Sequence, residues 1–408
     1  MRGITWRRAA GSLWAVLAAS AAISLSAFGM SGPGSGAPAP EPGKTEAMPE
    51  EESGYTAVDG NQISEERLQD GIVEYDELGS LVHYGNLSIQ EMLASTESTR
   101  QDYQEIRDYL RTERASAGEE KKRAKEDDDM EGYMEYASLE EVYRSAAKSY
   151  NEQIKKLDRY SSNKTRLSLE KQLTNAAQSL MISWQSIQLQ KEYLESMRGL
   201  YQEVYENTIL QQSAGLATGV DAAEAYQNWN DVEISLSGME DSEASICQSL
   251  YQILGIEDEA SPKRIPPVNA EQLSGRNLEE DIQKAIGNHA DVIAERDTKS
   301  AGTASGNKKQ RTLEELGEKI KIELEQLYEE VNQKKQGYDA ARAGLEGAKI
   351  QWKTAQDQYA LGMLSIAEYL QKQMQYIQKK TAYESADLAL FQALENYNWA
   401  VKGMITLD

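Results

Sequence analysis

Two seven-residue stretches decide the fold: Gly215-Leu216-Ala217-Thr218-Gly219-Val220-Asp221 and, 147 residues later, Gly362-Met363-Leu364-Ser365-Ile366-Ala367-Glu368. Both read G-x-x-[S/T]-x-x-[D/E]. Glycine can end a helix in the left-handed conformation, and Ser or Thr with an acid three residues later is close to the capping box that begins a helix. Each stretch therefore predicts a tight helix–turn–helix. The residues that define the two turns are Gly215, Leu216, Thr218 and Asp221, and Gly362, Met363, Ser365 and Glu368.

The apolar residues around each turn follow the 3-4 spacing of a coiled-coil seam. Any helical hairpin needs a capped turn, so the two turns could resemble each other by chance. Three features favour a true repeat instead: the turn, the seam and a glycine that ends the second helix of each hairpin (Gly255, Gly403). We therefore predict an all-α fold of two tandem repeats of long helical hairpins with coiled-coil packing, with helices over roughly 133–213 and 312–360. The seam residues are Leu194, Met197, Tyr201 and Val204; Ala225, Trp229, Val232, Leu236 and Met239; and Tyr338, Ala341, Leu345, Ala348, Trp352, Ala355 and Tyr359.

The prolines mark the joints between these parts. Five lie within residues 30–60, three lie within 262–267, and none occurs from 50 to 261 or from 268 to 408. Because proline breaks helix interiors, its absence permits long helices. The predicted organisation is a signal peptide (1–29), a Pro/Gly-rich and acidic linker region (30–85), a first helical repeat (86–256), an inter-repeat linker (257–276) and a second helical repeat (277–404).

The N-terminal segment has the features of an export signal. Arg2, Arg7 and Arg8 precede a mostly apolar run over residues 13–27, and Ala27-Phe28-Gly29 offers a small-x-small cleavage site. No Cys follows, so a lipoprotein signal is not indicated. An uncleaved anchor is the alternative, although the run is short for a membrane-spanning helix. We expect export to the cell envelope or extracytoplasmic space.

Composition argues against several classes of function. A formal charge of −24 and a pI near 4.7 disfavour nucleic acid as a partner. The histidines His83 and His289 are far apart and lack metal-ligand spacing, so structural or surface roles are expected. The acidic run 126–129 lacks the Gly and final Glu of a calcium-binding hand and is predicted to be a solvated loop. The lone Cys247 is expected to be a buried structural thiol.

No catalytic motif is visible. The chain has no nucleotide-binding loop and no nucleophile elbow. We therefore expect neither enzymatic activity nor a cofactor.

The paired turns, the helical repeat and the signal peptide resemble the TolC-like outer-membrane efflux family. The likeness spans most of residues 86–404, and it includes Tyr369-Leu370-Gln371 after the second turn and Asn288-His289-Ala290-Asp291 near the start of the second repeat. The family often has proline where this chain has Ala290. The resemblance implies a homotrimer whose hairpins form a hollow α-barrel. It also implies that the turns meet a membrane-fusion adaptor working with an energised transporter.

The chain departs from that family between the first helix of each repeat and the long helix before the turn. Family members usually place two membrane-spanning strands there, at positions that correspond to about 113–131 and 300–311. A barrel strand needs roughly ten residues of alternating apolar and polar character. Neither segment offers this pattern, so the chain resembles the helical part of the family without its membrane strands. Outer-membrane insertion is therefore doubtful.

The leading functional hypothesis is an exported helical conduit or docking component of an export system. Its partner-binding residues would be the eight turn residues named above. The alternative is a secreted coiled-coil structural or adhesive protein that uses the hairpins as a spacer. A hollow trimer with open turns favours the conduit, whereas a solid bundle or a monomer favours the spacer.

Overall fold

The computed structural model describes residues 65–68, 70–256, 260–268, 276–298 and 302–407. The predicted signal peptide (1–29) lies outside these residues. Of the described part, 87% is helical. The elements are α1 (Glu65–Leu68), β1 (Ile72–Val73), a 3₁₀ turn (Tyr75–Glu77), α2 (Leu78–Gly85), α3 (Leu87–Glu126), α4 (Met130–Leu157), α5 (Tyr160–Ser213), α6 (Gly219–Leu254), β2 (Ser261–Pro262), α7 (Leu278–Asn288), α8 (Ala290–Asp297), α9 (Thr303–Ala360) and α10 (Ile366–Val401).

The two predicted hairpins are present: α5 packs on α6, and α9 packs on α10. The predicted seams supply their contacts, since Met197, Val232 and Leu236 are buried in the first hairpin and Leu345 and Ala355 in the second. These residues recur every three or four positions because that spacing keeps one face of a helix toward its neighbour. The all-α fold of two tandem hairpin repeats is thus confirmed.

Each hairpin closes on the helix that begins its repeat. Gly255 ends α6 with φ 67°, and a Cβ built there would lie 1.9 Å from the carbonyl oxygen of Gly85. Gly403 follows α10 with φ 88°, and its Cβ would lie 2.3 Å from the carbonyl oxygen of Asn288. Only glycine fits both requirements, positive φ and close backbone approach. The end of α2 and the end of α7 are therefore equivalent positions in the two repeats.

This equivalence corrects the predicted start of the first repeat. The predicted linker region includes residues 75–85, but these form a 3₁₀ turn and α2, the counterpart of α7. Leu78 and Val82 are completely buried there. The sequence pattern missed the segment because α2 is only eight residues long, too short to show a helical repeat.

The predicted helix over 133–213 is wrong in one respect: it is two helices, with a break at Asp158 and Arg159. Arg159 has an extended backbone (φ −73°, ψ 145°). The carbonyl of Leu157, freed by the break, accepts a hydrogen bond from Asn163 Nδ2 at 2.8 Å, and Asp158 pairs with Arg100 at 2.6 Å. Polar side chains stabilise the interruption without a proline. The helix predicted from 312 begins earlier, at Thr303.

Helices α3 and α4 form a third antiparallel hairpin. At the same place in the second repeat, the described residues contain only the short α8, which packs on α9. The segment 113–131 lies in this hairpin and its turn, and residues 303–311 begin α9, so both are helical. The acidic run is the turn, as predicted. Asp128 has φ 53°, and Asp129 caps α4 by accepting the N–H of Gly132 at 3.0 Å.

The predicted inter-repeat linker is partly structured. Ser261 and Pro262 form β2, which pairs in parallel with β1 at Ile72 and Val73. Ile265 is buried in the cluster that includes Val73 and Leu78. The linker therefore packs against both β1 and α2, at the start of the first repeat, and the end of α6.

The two hairpins pack side by side through α5 and α10, which run antiparallel. Trp399 donates to Gln178 at 2.6 Å near one end of this contact, and Tyr193 bonds Gln378 farther along. Leu370 packs with Met197 and Leu200 farther still. Across the described residues, every helix is either too short or too polar to cross a membrane.

Candidate partner-docking site at the hairpin turns

The two turns have the same backbone geometry. Gly215 has φ 74° and Gly362 has φ 71°. The N–H of Leu216 donates to the carbonyl of Gln211, and the N–H of Met363 donates to that of Gln358, both at 2.8 Å. This is the Schellman pattern, in which a left-handed residue lets the next N–H satisfy a carbonyl at the helix end. The predicted helix-ending role of both glycines is confirmed.

A capping box follows each glycine, as predicted. Thr218 Oγ1 accepts the N–H of Asp221, and the Asp221 carboxylate accepts the N–H of Thr218 at 2.7 Å. Ser365 and Glu368 make the same pair of bonds, the second at 3.0 Å. These backbone hydrogen bonds to the charged carboxylates lower the pKa of Asp221 and of Glu368 below their ordinary values.

The apolar residues of the turns face solvent. Leu216 is 79% exposed and Met363 is 70% exposed. In a Schellman motif this position often makes a local apolar contact with the preceding turn of helix, yet here neither side chain gains much local burial. Leu361 and Val220, both 75% exposed, add to the apolar surface and were not predicted. Local folding therefore gives no reason for apolar side chains at these positions.

Both turns lie at the same end of α5, but at different heights. Tyr193, which lies 23 residues before Leu216, bonds Gln378, which lies 15 residues after Met363. At a rise of 1.5 Å per residue, the first turn extends roughly 10–15 Å beyond the second. The sequence could not show this offset, because it depends on the position at which α10 packs along α5.

A stacked aromatic pair lies behind each turn. Tyr205 stacks on Trp229 with ring centroids 6.0 Å apart, and Trp352 stacks on Tyr376 at 6.2 Å. The positions are equivalent in the two hairpins, with Trp and Tyr exchanged. Tyr359 and Tyr369, stacked at 4.3 Å, add a further pair in the second hairpin. Such stacking holds the two helices together near the turn.

Thr218→Ala and Ser365→Ala should each destabilise the start of the following helix by about 0.5–2 kcal/mol, because each removes an acceptor for an exposed N–H. Amide hydrogen exchange in the first turn of α6 or α10 should become correspondingly faster. The second hydrogen bond of each capping box, accepted by the Asp221 or Glu368 carboxylate, depends on pH because folding lowers the pKa of both carboxyls. The contribution of these carboxylates to stability is present above the ordinary carboxyl pKa. It is lost as pH falls through the lowered value.

Thr208→Ala is the matched control, because that hydroxyl only donates to the Val204 carbonyl within α5. Unchanged exchange in Thr218→Ala at neutral pH would show that the capping box contributes nothing.

The remaining candidate residues have structural contacts. His83 Nδ1 lies 2.7 Å from buried Glu170, and His289 caps α8 while its Nε2 lies 3.1 Å from the Ile405 carbonyl oxygen. Both fit the structural roles predicted for them. Cys247 is partly exposed rather than fully buried, and partial burial raises the pKa of its thiol. Within the described ranges, acidic, His and Cys side chains nowhere gather into a metal-binding group.

No protein-family model and no curated protein matches the chain. Solved structures with a similar arrangement include the Campylobacter jejuni CmeC outer membrane channel, with 11% identity over 64% of this chain and 68% of that chain (TM-score 0.40). A membrane protein from Pseudomonas aeruginosa has 14% identity over 80% of this chain and 93% of that chain (TM-score 0.44). CusC has 12% identity over 83% and 96% (TM-score 0.42). At identities and TM-scores this low, the likenesses carry no argument about function.

Proposed function

We propose that the chain is an exported, TolC-like helical conduit or docking component of an export system. In this proposal three copies assemble side by side, so that six hairpins enclose a hollow α-barrel. The turns at one end dock onto a membrane-fusion adaptor that works with an energised transporter. The protein itself is not an enzyme and binds no cofactor; transport through it is passive.

The observation that carries the proposal is the exposure of Leu216 and Met363 at equivalent positions of two like turns. Each turn is held by its own backbone hydrogen bonds and capping box. An apolar side chain on such a rigid, exposed turn gains burial only from a partner. The docking residues are therefore Gly215, Leu216, Thr218 and Asp221 in the first turn, and Gly362, Met363, Ser365 and Glu368 in the second.

The offset between the turns adds a constraint on the partner. The first turn lies roughly 10–15 Å farther out than the second, an offset supported by the bond between Tyr193 of α5 and Gln378 of α10. A ring of three copies would then present two levels of contact. We expect the adaptor to contact the first turn more deeply than the second.

The net charge of −24 suggests what such a conduit would pass. If acidic residues line the lumen, their field favours cations and repels anions. The alternative function, a secreted coiled-coil spacer, shares the hairpins but needs neither a lumen nor a docking partner.

Light scattering of the purified, processed protein tests the assembly. The conduit requires a particle with three times the mass of one chain at micromolar concentration. A monomer across that concentration range would contradict the conduit and favour the spacer.

A further inference from the structure

The carboxyl group of Glu77 is buried with only one of its two oxygens hydrogen-bonded. The residue lies in the 3₁₀ turn that leads into α2, and it is 1% exposed. Oε1 accepts the backbone N–H of Glu74 at 2.7 Å. Oε2 is enclosed, and within the part of the chain that the structure describes no hydrogen-bond donor reaches it. Because burial of a charged oxygen without a hydrogen bond is costly, this position disfavours the ionised form of Glu77.

Arg67 of α1 compensates the charge of an ionised Glu77 only in part. Its Nη2 lies 3.8 Å from Glu77 Oε2, which is too far for a hydrogen bond. The same guanidinium pairs with the Glu74 carboxylate and lies 3.3 Å from Asp76 Oδ1. Arg67 is therefore shared among three carboxylates, and its contact with Glu77 is the longest of the three.

The other charged groups around the turn are engaged with different partners. Asp70 lies just before β1, and its Oδ1 accepts the N–H of Ile72 at 2.8 Å. The groups that neighbouring elements contribute each have a partner of their own: Lys263 beside β2 pairs with Glu74, Glu395 of α10 accepts from Tyr75 Oη, and His83 of α2 lies against Glu170 of α5. None of these groups supplies a second cation to Glu77.

The pKa of Glu77 reflects this environment. Burial raises the pKa to about 7; the backbone N–H of Glu74 and the charge of Arg67 oppose the rise, whereas the negative charges of Asp70 and Glu74 add to it. The Glu77 carboxyl therefore changes its charge in a pH range where an ordinary glutamate is ionised.

The turn that contains Glu77 is continuous with the short β-sheet of the first repeat. Carbonyls at and beside β1 accept the N–H groups of Ser261 at 3.0 Å and of Lys263 at 2.8 Å. Glu74, whose N–H is bonded to Glu77, is the residue directly after β1. An opening that brings water to the Glu77 carboxyl must therefore move Glu74, and with it the end of β1, away from β2.

We propose that Glu77 is a pH-sensitive switch that controls how firmly the start of the first repeat is attached to the inter-repeat segment. With the proton bound, the carboxyl stays buried and β1 stays paired with β2. With the proton lost, the buried charge favours local opening of residues 70–77, which hydrates the carboxylate. The switch lies within a single chain and goes beyond the conduit of the proposed function, because it operates whatever number of copies assemble.

The direction of the pH dependence follows from the raised pKa. The closed form binds the proton more tightly than the open form, in which Glu77 has an ordinary carboxyl pKa. The attachment is therefore strongest below that ordinary value, weakens as pH rises toward about 7, and changes little above it.

Hydrogen–deuterium exchange of the full chain, followed by mass spectrometry of the peptide that contains Ser261 and Lys263, tests the switch. After correction for the chemical exchange rate, opening should increase on the order of 50-fold between about pH 5 and pH 8. Glu77→Gln keeps an oxygen acceptor for the Glu74 N–H but cannot ionise. In that variant the peptide should stay as protected at the higher pH as the wild type is at the lower one.

Asp76→Asn is the matched control, because it removes the neighbouring carboxyl of the same turn, whose side chain is 56% exposed. This variant should retain the pH dependence of the wild type. If Glu77→Gln shows the wild-type dependence, or if the wild type shows none, the switch is refuted.

Arg67→Gln provides a second test, which does not require the Glu77 variant to fold. Without the cation that faces Oε2, the ionised carboxyl is less stable, so the midpoint of the transition should move to higher pH. An unchanged or lower midpoint, with the helicity of the chain preserved in circular dichroism, would show that Glu77 is not the titrating group.

Discussion

Gly255→Ala is expected to lower the free energy of unfolding by about 3 kcal/mol or more, measured by urea denaturation followed by circular dichroism. Two costs combine at this position. An L-residue at φ 67° is strained by roughly 1–2 kcal/mol, and the added Cβ would lie 1.9 Å from the Gly85 carbonyl oxygen. Relieving that overlap must separate α2 from α6 and weaken the hydrogen bond from Asn86 Nδ2 to the Ile253 carbonyl.

Gly215→Ala is the comparison that incurs only the backbone strain and not the steric overlap. Gly215 has φ 74°, and nothing lies within 4 Å of its Cβ, so only the backbone strain is incurred. The second repeat offers the same comparison: Gly403→Ala meets the Asn288 carbonyl oxygen at 2.3 Å, whereas Gly362→Ala meets open space. Equal destabilisation within each pair would mean that the hairpins do not close on α2 and α7 as described.

The second large effect is expected from Leu216→Asp combined with Met363→Asp. Both side chains are at least 70% exposed, so helicity and the melting temperature should hardly change. Co-purification of the tagged full chain with the adaptor of its host, from the envelope fraction, should fall by about 100-fold or more. The physical reason is that an apolar docking contact would have to bury two unpaired carboxylates.

Exchanging the two residues, Leu216→Met with Met363→Leu, is the control. It keeps two flexible apolar side chains on the same turns and should preserve adaptor capture. If the double Asp variant folds normally and still captures the adaptor, the turns serve only as helix ends. That result would favour the coiled-coil spacer.

The sequence was most informative where local chemistry determines structure. The turns could be predicted to the residue, because Gly215 and Gly362 need positive φ and Thr218 and Ser365 cap the next helix. The seams followed from spacing alone. These features depend on neighbours within a few positions of the chain.

Features set by distant contacts were missed. The break at Asp158 is stabilised by Asn163 and by Arg100 on another helix, and α2 forms on a surface that α5 and α6 provide. The offset of the turns depends on the position of α10 along α5, where Tyr193 bonds Gln378. The exposure of Leu361 and Val220, which widens the candidate docking surface, likewise needs the three-dimensional arrangement.

Electron cryomicroscopy of the assembled, full-length protein tests the central claim most directly. The conduit predicts three copies around an open lumen, with all six turns at one end and Leu216 facing outward beyond Met363. A monomer, or a bundle whose centre is filled by side chains, would contradict it.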